Sequence, residues 1–358
     1  MRKAISPLSN RKNPSIMVPG ASVPRSAAGR ALSSELEGCF LKLLSILLLS
    51  YRNLDRVYGT LDSIFRQDYP ALELVVSDDA SPDFAAQQPL VSAYIEAHRR
   101  ENLREIRWVS HPENVGTVRN LNDAIRASHG EYLYSFSPED ELVRDDALSR
   151  LVRALEDSGR DICFARMVGV TPDGREVSYL PSCESDYPLL KSYSVEQTRR
   201  RLFSRNFLPG PCKIMTRKLL EENGLFPESI RLIEDYAYWL ILTRNGVPFA
   251  YLDEVLLRYR LSGVSSAGHY SEMFMADMFK IYEQYIFPYD HRFGPLQGLY
   301  NGLKRQGLQF YLARARWPRL SAGKRFLLRL RYFPFFVFTR LQDGRTARKQ
   351  RPGTGLPA

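Results

Sequence analysis

Three pairs of adjacent carboxylates, Asp78-Asp79, Glu139-Asp140 and Glu234-Asp235, are the residues of this sequence best suited to do chemistry. Carboxylates accept hydrogen bonds from ligands, coordinate hard divalent cations and act as general bases. Asp78-Asp79 ends a predicted strand, where a carboxylate could accept the N–H of a uracil ring or a ribose hydroxyl. Asp and Ser are also common in turns and helix caps, so a local role for this pair with Ser81 stays open.

Glu139-Asp140 closes a later predicted strand and suits metal binding. A departing diphosphate needs its charge neutralised, and Mg²⁺ or Mn²⁺ does this through one or two protein carboxylates. We predict that Asp140 is the main metal ligand and that Glu139 assists. The alternative is an acidic loop that only caps the helix after Asp145-Asp146.

Glu234-Asp235 opens a predicted apolar helix and suits proton transfer. Neighbouring aromatic residues such as Tyr238 and Trp239 raise the proton affinity of a carboxylate by desolvation, whereas a helix N-terminus lowers it. This balance is typical of a general base. We predict that Asp235 deprotonates an acceptor hydroxyl, with Glu234 as the next candidate. Plain capping of the helix is the alternative.

The elements that must position these carboxylates alternate between strand and helix. The predicted strands lie at 43–49, 72–76, 106–109 and 132–136, and the predicted helices between them at 55–66, 89–100 and 118–128. Such a series indicates a mostly parallel sheet between helices, with ligands beyond the carboxyl ends of the strands. Later helices are predicted at 217–223, 233–244, 270–290 and 295–316.

The order of the motifs resembles that of family 2 glycosyltransferases of the GT-A fold, over residues 43–266. The matching segments are Leu49-Ser50-Tyr51-Arg52, Asp78-Asp79-Ala80-Ser81, Asn114-Val115-Gly116 with Arg119-Asn120, Gly130-Glu131-Tyr132, Glu234-Asp235 and Tyr259-Arg260-Leu261-Ser262. Three positions depart from the family pattern. Ser137 and Glu139 stand where the metal loop normally has aspartates, and Ser262 replaces a histidine.

The resemblance implies inverting transfer of a sugar from a nucleotide-diphosphate sugar, here taken as a UDP-sugar, to a hydroxyl of a glycan or glycolipid. It implies donor binding by Ser50, Tyr51, Asp78, Asp79, Asn114, Arg119 and Arg260, with Arg119 or Arg260 stabilising the diphosphate. Asp235 would activate the acceptor for attack opposite the departing nucleoside diphosphate. The implied setting is bacterial polysaccharide or lipopolysaccharide assembly. A related protein without activity stays open, because of Ser137 and Ser262.

Charge is divided unevenly along the 358 residues. The first 34 residues carry a net charge of +6, residues 35–290 about −10, and residues 291–358 about +14. A nucleic-acid-binding protein would be basic throughout, so we predict no nucleic-acid partner, although aromatics among arginines in 310–340 keep this class as the non-enzyme alternative. A nicotinamide dehydrogenase would need a glycine-rich turn after the first strand, and Ser50-Tyr51-Arg52 has no glycine.

These patterns predict a basic, disordered tail at 1–40, a glycosyltransferase domain at 41–266 and a helical, basic extension at 267–358. Dispersed cysteines and the lack of an apolar leader predict a cytoplasmic protein. Cations alternate with large apolar residues from Lys324 to Arg340, and the charge-free run is too short to span a bilayer. We therefore predict peripheral contact with anionic lipid on the inner face of the membrane. A helix packed on the catalytic domain is the alternative.

Overall fold

The computed structural model describes residues 42–181, 186–261, 271–315, 320–335 and 337. They belong to one unit that begins at Lys42. The predicted tail at 1–40, the predicted boundary at 266–267, Ser262 and the last part of the basic segment lie outside the described residues.

A nine-stranded mixed sheet forms the centre of the molecule. Its strands are β1 Leu44–Ser50, β2 Leu72–Asp78, β3 Leu103–Ser110, β4 Tyr132–Phe136, β5 Glu141–Leu142, β6 Ile162–Val170, β7 Glu176–Leu180, β8 Lys213–Thr216 and β9 Ala250–Arg260. Their order is β3-β2-β1-β4-β8-β6-β9-β5, and β7 pairs with β6. The first four strands run parallel, and most paired residues of the whole sheet are in parallel ladders. The predicted, mostly parallel sheet is confirmed.

Helices cover both faces of the sheet. They are α1 Tyr58–Phe65, α2 Phe84–His98, α3 Thr117–Ala127, α4 Ala147–Ser158, α5 Tyr187–Ser192, α6 Val195–Leu202, α7 Arg217–Asn223, α8 Glu234–Arg244, α9 Glu272–Ile281, α10 Gln297–Ala315 and α11 Ala322–Arg331. Helix α2 begins five residues before its predicted start at Pro89, and the ring of its first residue, Phe84, packs edge-on against Trp108. Among the described residues, no helix is both long and apolar enough to cross a bilayer.

Two apolar cores lie on opposite faces of the sheet, and β1 contributes to both. Leu44, Ile46 and Leu48 are buried in one core, whereas Leu47 is buried in the other. A strand covered on both faces needs apolar residues at successive positions rather than alternate ones. The apolar run at 46–49 in β1 therefore has a structural cause, since the strand is covered on both faces.

Candidate active site

The polar residues that follow β1, β2 and β4 lie at one edge of the sheet. β1 pairs with β2 on one side and with β4 on the other, all three in parallel. β2 and β3 lie on one side of β1, and β4 lies on the other, so the strand order reverses at β1. Open α/β sheets form ligand crevices at such a reversal.

Ser50, Asp78 and Asp79 meet at the ends of β1 and β2. The N–H of Asp79 donates to the carbonyl of Ser50 at 2.9 Å. The buried carboxylate of Asp78 accepts bonds from the N–H of Ser81 at 2.7 Å and from its hydroxyl at 2.6 Å. Asp78 therefore has the local turn role that the sequence left open. A carboxylate has about four acceptor positions, so this does not use up its capacity to bind a ligand.

Asp79 holds the loop of Asn114 and its neighbours against the end of β2. Its carboxylate accepts the N–H groups of Val115 at 2.6 Å and Gly116 at 2.9 Å. The side-chain oxygen of Asn114 accepts a bond from Arg231 at 2.8 Å. A Cβ on Gly116, whose φ is +90°, would overlap the Arg231 side chain and approach its carbonyl oxygen to 2.9 Å. Arg231 thus links the loop that contains Asn114 to the segment that leads into α8.

Arg119 and Tyr51, which were predicted to bind the nucleotide sugar, are exposed to solvent. The side chain of Arg119 is 58% exposed, and its Nε lies 3.8 Å from Asp123 on the same helix. The ring of Tyr51 is exposed beneath the guanidinium of Arg52, 5.1 Å from its centroid. Within the ranges that the structure describes, no hydrogen bond or ion pair joins Arg119 to the other residues predicted to bind the nucleotide sugar.

Left-handed backbone occurs in the loops that follow β1, β2 and β4. Arg52, Ala80 and Glu139 have φ values of 59°, 61° and 78°. Residues other than glycine adopt this conformation at a cost of about 1–2 kcal/mol and persist there when the surroundings impose it, often at functional sites. The three strand ends therefore share a strained turn that displays polar groups at the crevice.

The loop after β4 anchors Asp140 and presents Glu139. The Asp140 carboxylate is 2% exposed and accepts the N–H of Arg260 at 2.9 Å and that of Ser137 at 3.4 Å. Burial raises the pKa of Asp140 to about 8, and these two backbone hydrogen bonds offset only part of the effect. Glu139 lies between two guanidinium groups, with Arg56 Nη1 at 3.4 Å and Arg260 Nε at 4.0 Å.

This loop fits a divalent cation in its chemistry. Among the described residues, the hydrogen-bond donors to the buried Asp140 carboxylate are neutral N–H groups, and burial raises its pKa. Glu139 and Asp140 would offer the hard oxygen ligands that Mg²⁺ and Mn²⁺ prefer. A second acidic group, formed by Glu73, Glu105 and His129, lies at the opposite, amino end of the strands. There Arg107 bonds both glutamates and already supplies the positive charge.

Glu234 and Asp235 form the first turn of α8, as predicted, and are partly exposed at the wall of a cavity. The Asn206 amide donates to Asp235 Oδ2 at 2.8 Å. A Cβ on Gly210 would lie 2.7 Å from the same oxygen, so only glycine fits there without displacing Asp235.

A buried lysine lies behind this carboxylate pair. Lys213 is 2% exposed, and its ammonium donates to the carbonyl of Gly210 at 2.6 Å and to the Ser135 hydroxyl at 3.1 Å. Burial lowers the pKa of Lys213, while Glu234 and Asp235 favour its charged form. Burial raises the pKa of Glu234 to about 7, and it also raises that of Asp235, against the effects of Asn206 and Lys213. Burial therefore raises the pKa values of both carboxylates.

The cavity beside Asp235 has a volume of about 660 Å³. Part of the lining comes from residues that precede α9, including Asn206, Glu234 and Tyr259. Further lining residues come from α9, α10 and Phe335, and most of them are apolar or aromatic. Tyr259 and its neighbour Arg260 connect this cavity with the loop that contains Asp140.

Residues 45–224 match the family model described as glycosyl transferase family 2, which is half of the chain. The chain belongs to glycosyl transferase family 2. The match includes Asp78, Asp79, Glu139 and Asp140, and it ends before Asp235 and before β9. The family and enzyme class inferred from the sequence are confirmed, whereas the roles of individual site residues stay predictions.

Family 2 relatives and structural neighbours support the same fold. The uncharacterized glycosyltransferase EpsJ of Bacillus subtilis is 28% identical over 284 residues, which is 78% of each chain. The mannosyltransferase PcManGT of Pyrobaculum calidifontis, solved with GDP-Man and Mn²⁺, has a TM-score of 0.52, 19% identity and 85% coverage of both chains. S. aureus TarS 1-349 with UDP-GlcNAc has a TM-score of 0.50 and 19% identity, covering 76% of this chain and 81% of TarS 1-349. The predicted GT-A fold is confirmed.

Four residues of this family 2 site were missed by sequence reasoning: Arg56, Asn206, Lys213 and Arg231. Arg56, Asn206 and Arg231 each lie at least 29 residues from the predicted residue that they contact. Lys213 lies in a short strand and is buried, although a lysine is normally exposed. The sequence around it therefore does not predict its burial. Arg231 could have drawn notice because it precedes Glu234 by only three residues.

Proposed function

We propose that this family 2 enzyme transfers a sugar from a UDP-sugar to a hydroxyl of a glycan or glycolipid, with inversion and with the help of a divalent cation. The donor binds at the ends of β1, β2 and β4, where Ser50, Asp78, Asp79 and Asn114 meet. Arg260 and Arg56 both lie beside Glu139, and both would stabilise the diphosphate. Arg56 was not predicted from the sequence.

The position of Asp235 is the observation that carries this proposal. It is a partly exposed carboxylate in the wall of a cavity large enough for a ligand, and its pKa is raised towards the range of an effective base. Asn206 and Gly210 fix its orientation. In the proposed reaction Asp235 accepts the proton of the acceptor hydroxyl as its oxygen attacks the anomeric carbon.

Glu139 and Asp140 would hold the cation, which neutralises charge on the leaving diphosphate when bound. We predict that Glu139→Gln raises the concentration of Mn²⁺ or Mg²⁺ needed for half-maximal donor binding, measured by calorimetry. Asp140→Asn should remove most turnover, but it also perturbs the bond to the Arg260 N–H, so thermal unfolding must accompany that measurement. Activity of both variants in excess EDTA would mean that arginines alone neutralise the diphosphate.

Donor identity is tested with a panel of UDP-, GDP- and dTDP-sugars. We expect a UDP-sugar to raise the melting temperature most and to be hydrolysed slowly, with release of UDP. A protein that binds a nucleotide sugar but never releases the nucleoside diphosphate would be a family member without activity. If no nucleotide sugar binds, the proposed function is wrong.

A further inference from the structure

We propose that Asp277 is a positioning residue for sugar transfer, through which helix α9 fixes the segment at 231–232 between the nucleotide-sugar site and the base. This inference rests on the proposed function, since it takes Asn114 as part of the donor site and Asp235 as the base. Asp277 lies in the C-terminal extension, outside residues 45–224 that match the family model. The extension thus takes part in catalysis, in addition to the membrane contact predicted from the sequence.

The Asp277 carboxylate is buried and accepts hydrogen bonds from two successive backbone N–H groups. It is 1% exposed, and its Oδ2 accepts the N–H of Arg231 at 3.0 Å and that of Leu232 at 2.6 Å. Hydrogen bonds to a charged acceptor are stronger than neutral ones, and successive N–H groups that converge on one oxygen form an anion-binding turn. Since Asp277 is distant from both partners in sequence, these bonds fix where the segment lies against α9.

Two further contacts connect α9 and the turn after it with the residue at 229. The Lys280 ammonium donates to the carbonyl of Ser229 at 2.8 Å, and the Ser229 hydroxyl donates to Gln284 Oε1 at 3.4 Å. Both contacts are exposed to solvent, whereas the bonds to Asp277 are partly buried. Hydrogen bonds are electrostatically stronger away from water. Asp277 is therefore the contact whose loss should displace the segment most.

Arg231 connects this segment with the nucleotide-sugar site. Its guanidinium donates to the side-chain oxygen of Asn114 at 2.8 Å, and its carbonyl accepts the N–H of Val118 at 3.1 Å. Gly116, between these two partners, packs directly against Arg231. A segment released from Asp277 would therefore no longer hold the loop that contains Asn114 in place.

The same segment leads into the helix that contains the proposed base. Helix α8 begins at Glu234, and Asp235 lies in its first turn. The bond from the N–H of Leu232 fixes the chain just before this turn, so Asp277 also determines where Asp235 stands. Misplacement of a reacting group by about 1 Å can cost on the order of 10²-fold in rate. One buried carboxylate thus aligns the donor loop with the base.

The test compares the full chain with two matched variants, Asp277→Ala and Asp290→Ala. Asp290 is also a buried aspartate of the extension, but its carboxylate accepts bonds from Arg292 instead of the segment at 231–232. UDP affinity is measured by calorimetry, and hydrolysis of the best-bound UDP-sugar gives kcat and KM. We expect Asp277→Ala to weaken UDP binding about fivefold or more and to lower kcat about tenfold or more. Asp290→Ala should leave both within about twofold, even if its melting temperature falls equally.

A double variant distinguishes this route from a general loss of stability. Arg231→Met removes the guanidinium that holds Asn114. In that background Asp277→Ala should weaken UDP binding by a clearly smaller factor than in the unaltered protein, because residues that act through one another are not additive. Two effects that simply multiply would show that Asp277 and Arg231 act independently, and the inference would be wrong.

Asp277→Asn serves as a second variant if Asp277→Ala does not fold, because it keeps an oxygen acceptor without the charge. It should weaken UDP binding about twofold or more, whereas Asp290→Asn should not weaken it. Equal effects of the Asp277 and Asp290 variants on UDP binding and kcat would overturn the inference. The proposed function would then still stand, provided that the unaltered protein binds and hydrolyses a UDP-sugar. If the unaltered protein binds neither UDP nor any nucleotide sugar, both fail together.

Discussion

Asp235 differs from an ordinary surface aspartate because its carboxylate is held by Asn206 and lies against Gly210. We predict that Asp235→Asn lowers transfer by about 10²–10⁴-fold, the usual contribution of a general base. Donor affinity should stay within a few-fold, because the base acts on the acceptor. Initial rates and calorimetric donor binding check this.

Glu234→Gln is the matched control for that experiment, since it alters the adjacent carboxylate and keeps its size. It should retain much more activity than Asp235→Asn. The reverse order, with Asp235→Asn near the wild-type rate, would assign the base to Glu234.

Lys213 is expected to control the pH at which the base becomes active. Transfer needs a deprotonated base, and burial raises the pKa of Asp235 above its ordinary value, so kcat/KM should rise with pH at a higher pH than for an ordinary aspartate. Lys213→Met removes a positive charge that favours the deprotonated pair, so the rise should move to higher pH. Ser135→Ala removes one partner of Lys213 without changing charge and should leave the midpoint in place. Identical midpoints in all three proteins would contradict this electrostatic role.

At the scale of elements, the loop after β3 packs so closely against Arg231 that only glycine fits at position 116. We predict that Gly116→Ala destabilises the protein by about 1–3 kcal/mol more than Gly159→Ala, because its Cβ would overlap Arg231. Gly159 is the control: it has a positive φ of 62° but open space around it, so it reports the backbone strain alone. Urea unfolding measures both. Equal losses would mean that the Arg231 contact does not constrain the loop.

The central strands could be predicted from the sequence, but β9 could not. β1, β2 and β4 are buried and mainly apolar, and a polar cluster marks the end of each. In β9 the apolar pattern is broken by Asp253 and Glu254. The pairing with β6 passes from Leu252 to Val255, so these two acidic residues form a bulge, where they pair with Lys191 and Arg150. A strand that contains charged residues paired with distant residues cannot be recognised from its apolar pattern alone.

The site shows the same limit. Three carboxylate pairs could be located because each adjoins a predictable strand end or helix start. Their partners could not, since Lys213 and Asn206 approach Asp235 only through the packing of β8 and its preceding loop against α8. The cavity likewise depends on α9 and α10, whose helical pattern says nothing about which element they face.

At the scale of the whole molecule, α11 and its flanks present cations and exposed apolar side chains on one surface. We predict that the full chain sediments with anionic vesicles at low salt and that Phe326→Gln with Leu327→Gln abolishes this. Burial of apolar groups and about 1 kcal/mol per basic residue would drive the binding. Leu299→Gln, an equally exposed leucine on α10, is the control. Unchanged sedimentation of the double variant would exclude α11 as the contact.

Tyr259 and Arg260 are neighbours, yet one side chain lines the cavity while the other residue's N–H holds the Asp140 carboxylate. Any shift of the end of β9 that accompanies filling of the cavity would also move the Asp140 loop, which we propose contacts the diphosphate. Two ligands that act on one rigid strand end are thermodynamically linked, and such linkage is reciprocal. By whatever factor the donor changes affinity for the acceptor, the acceptor changes affinity for the donor by the same factor. The strength of this linkage thus depends on how the end of β9 is held.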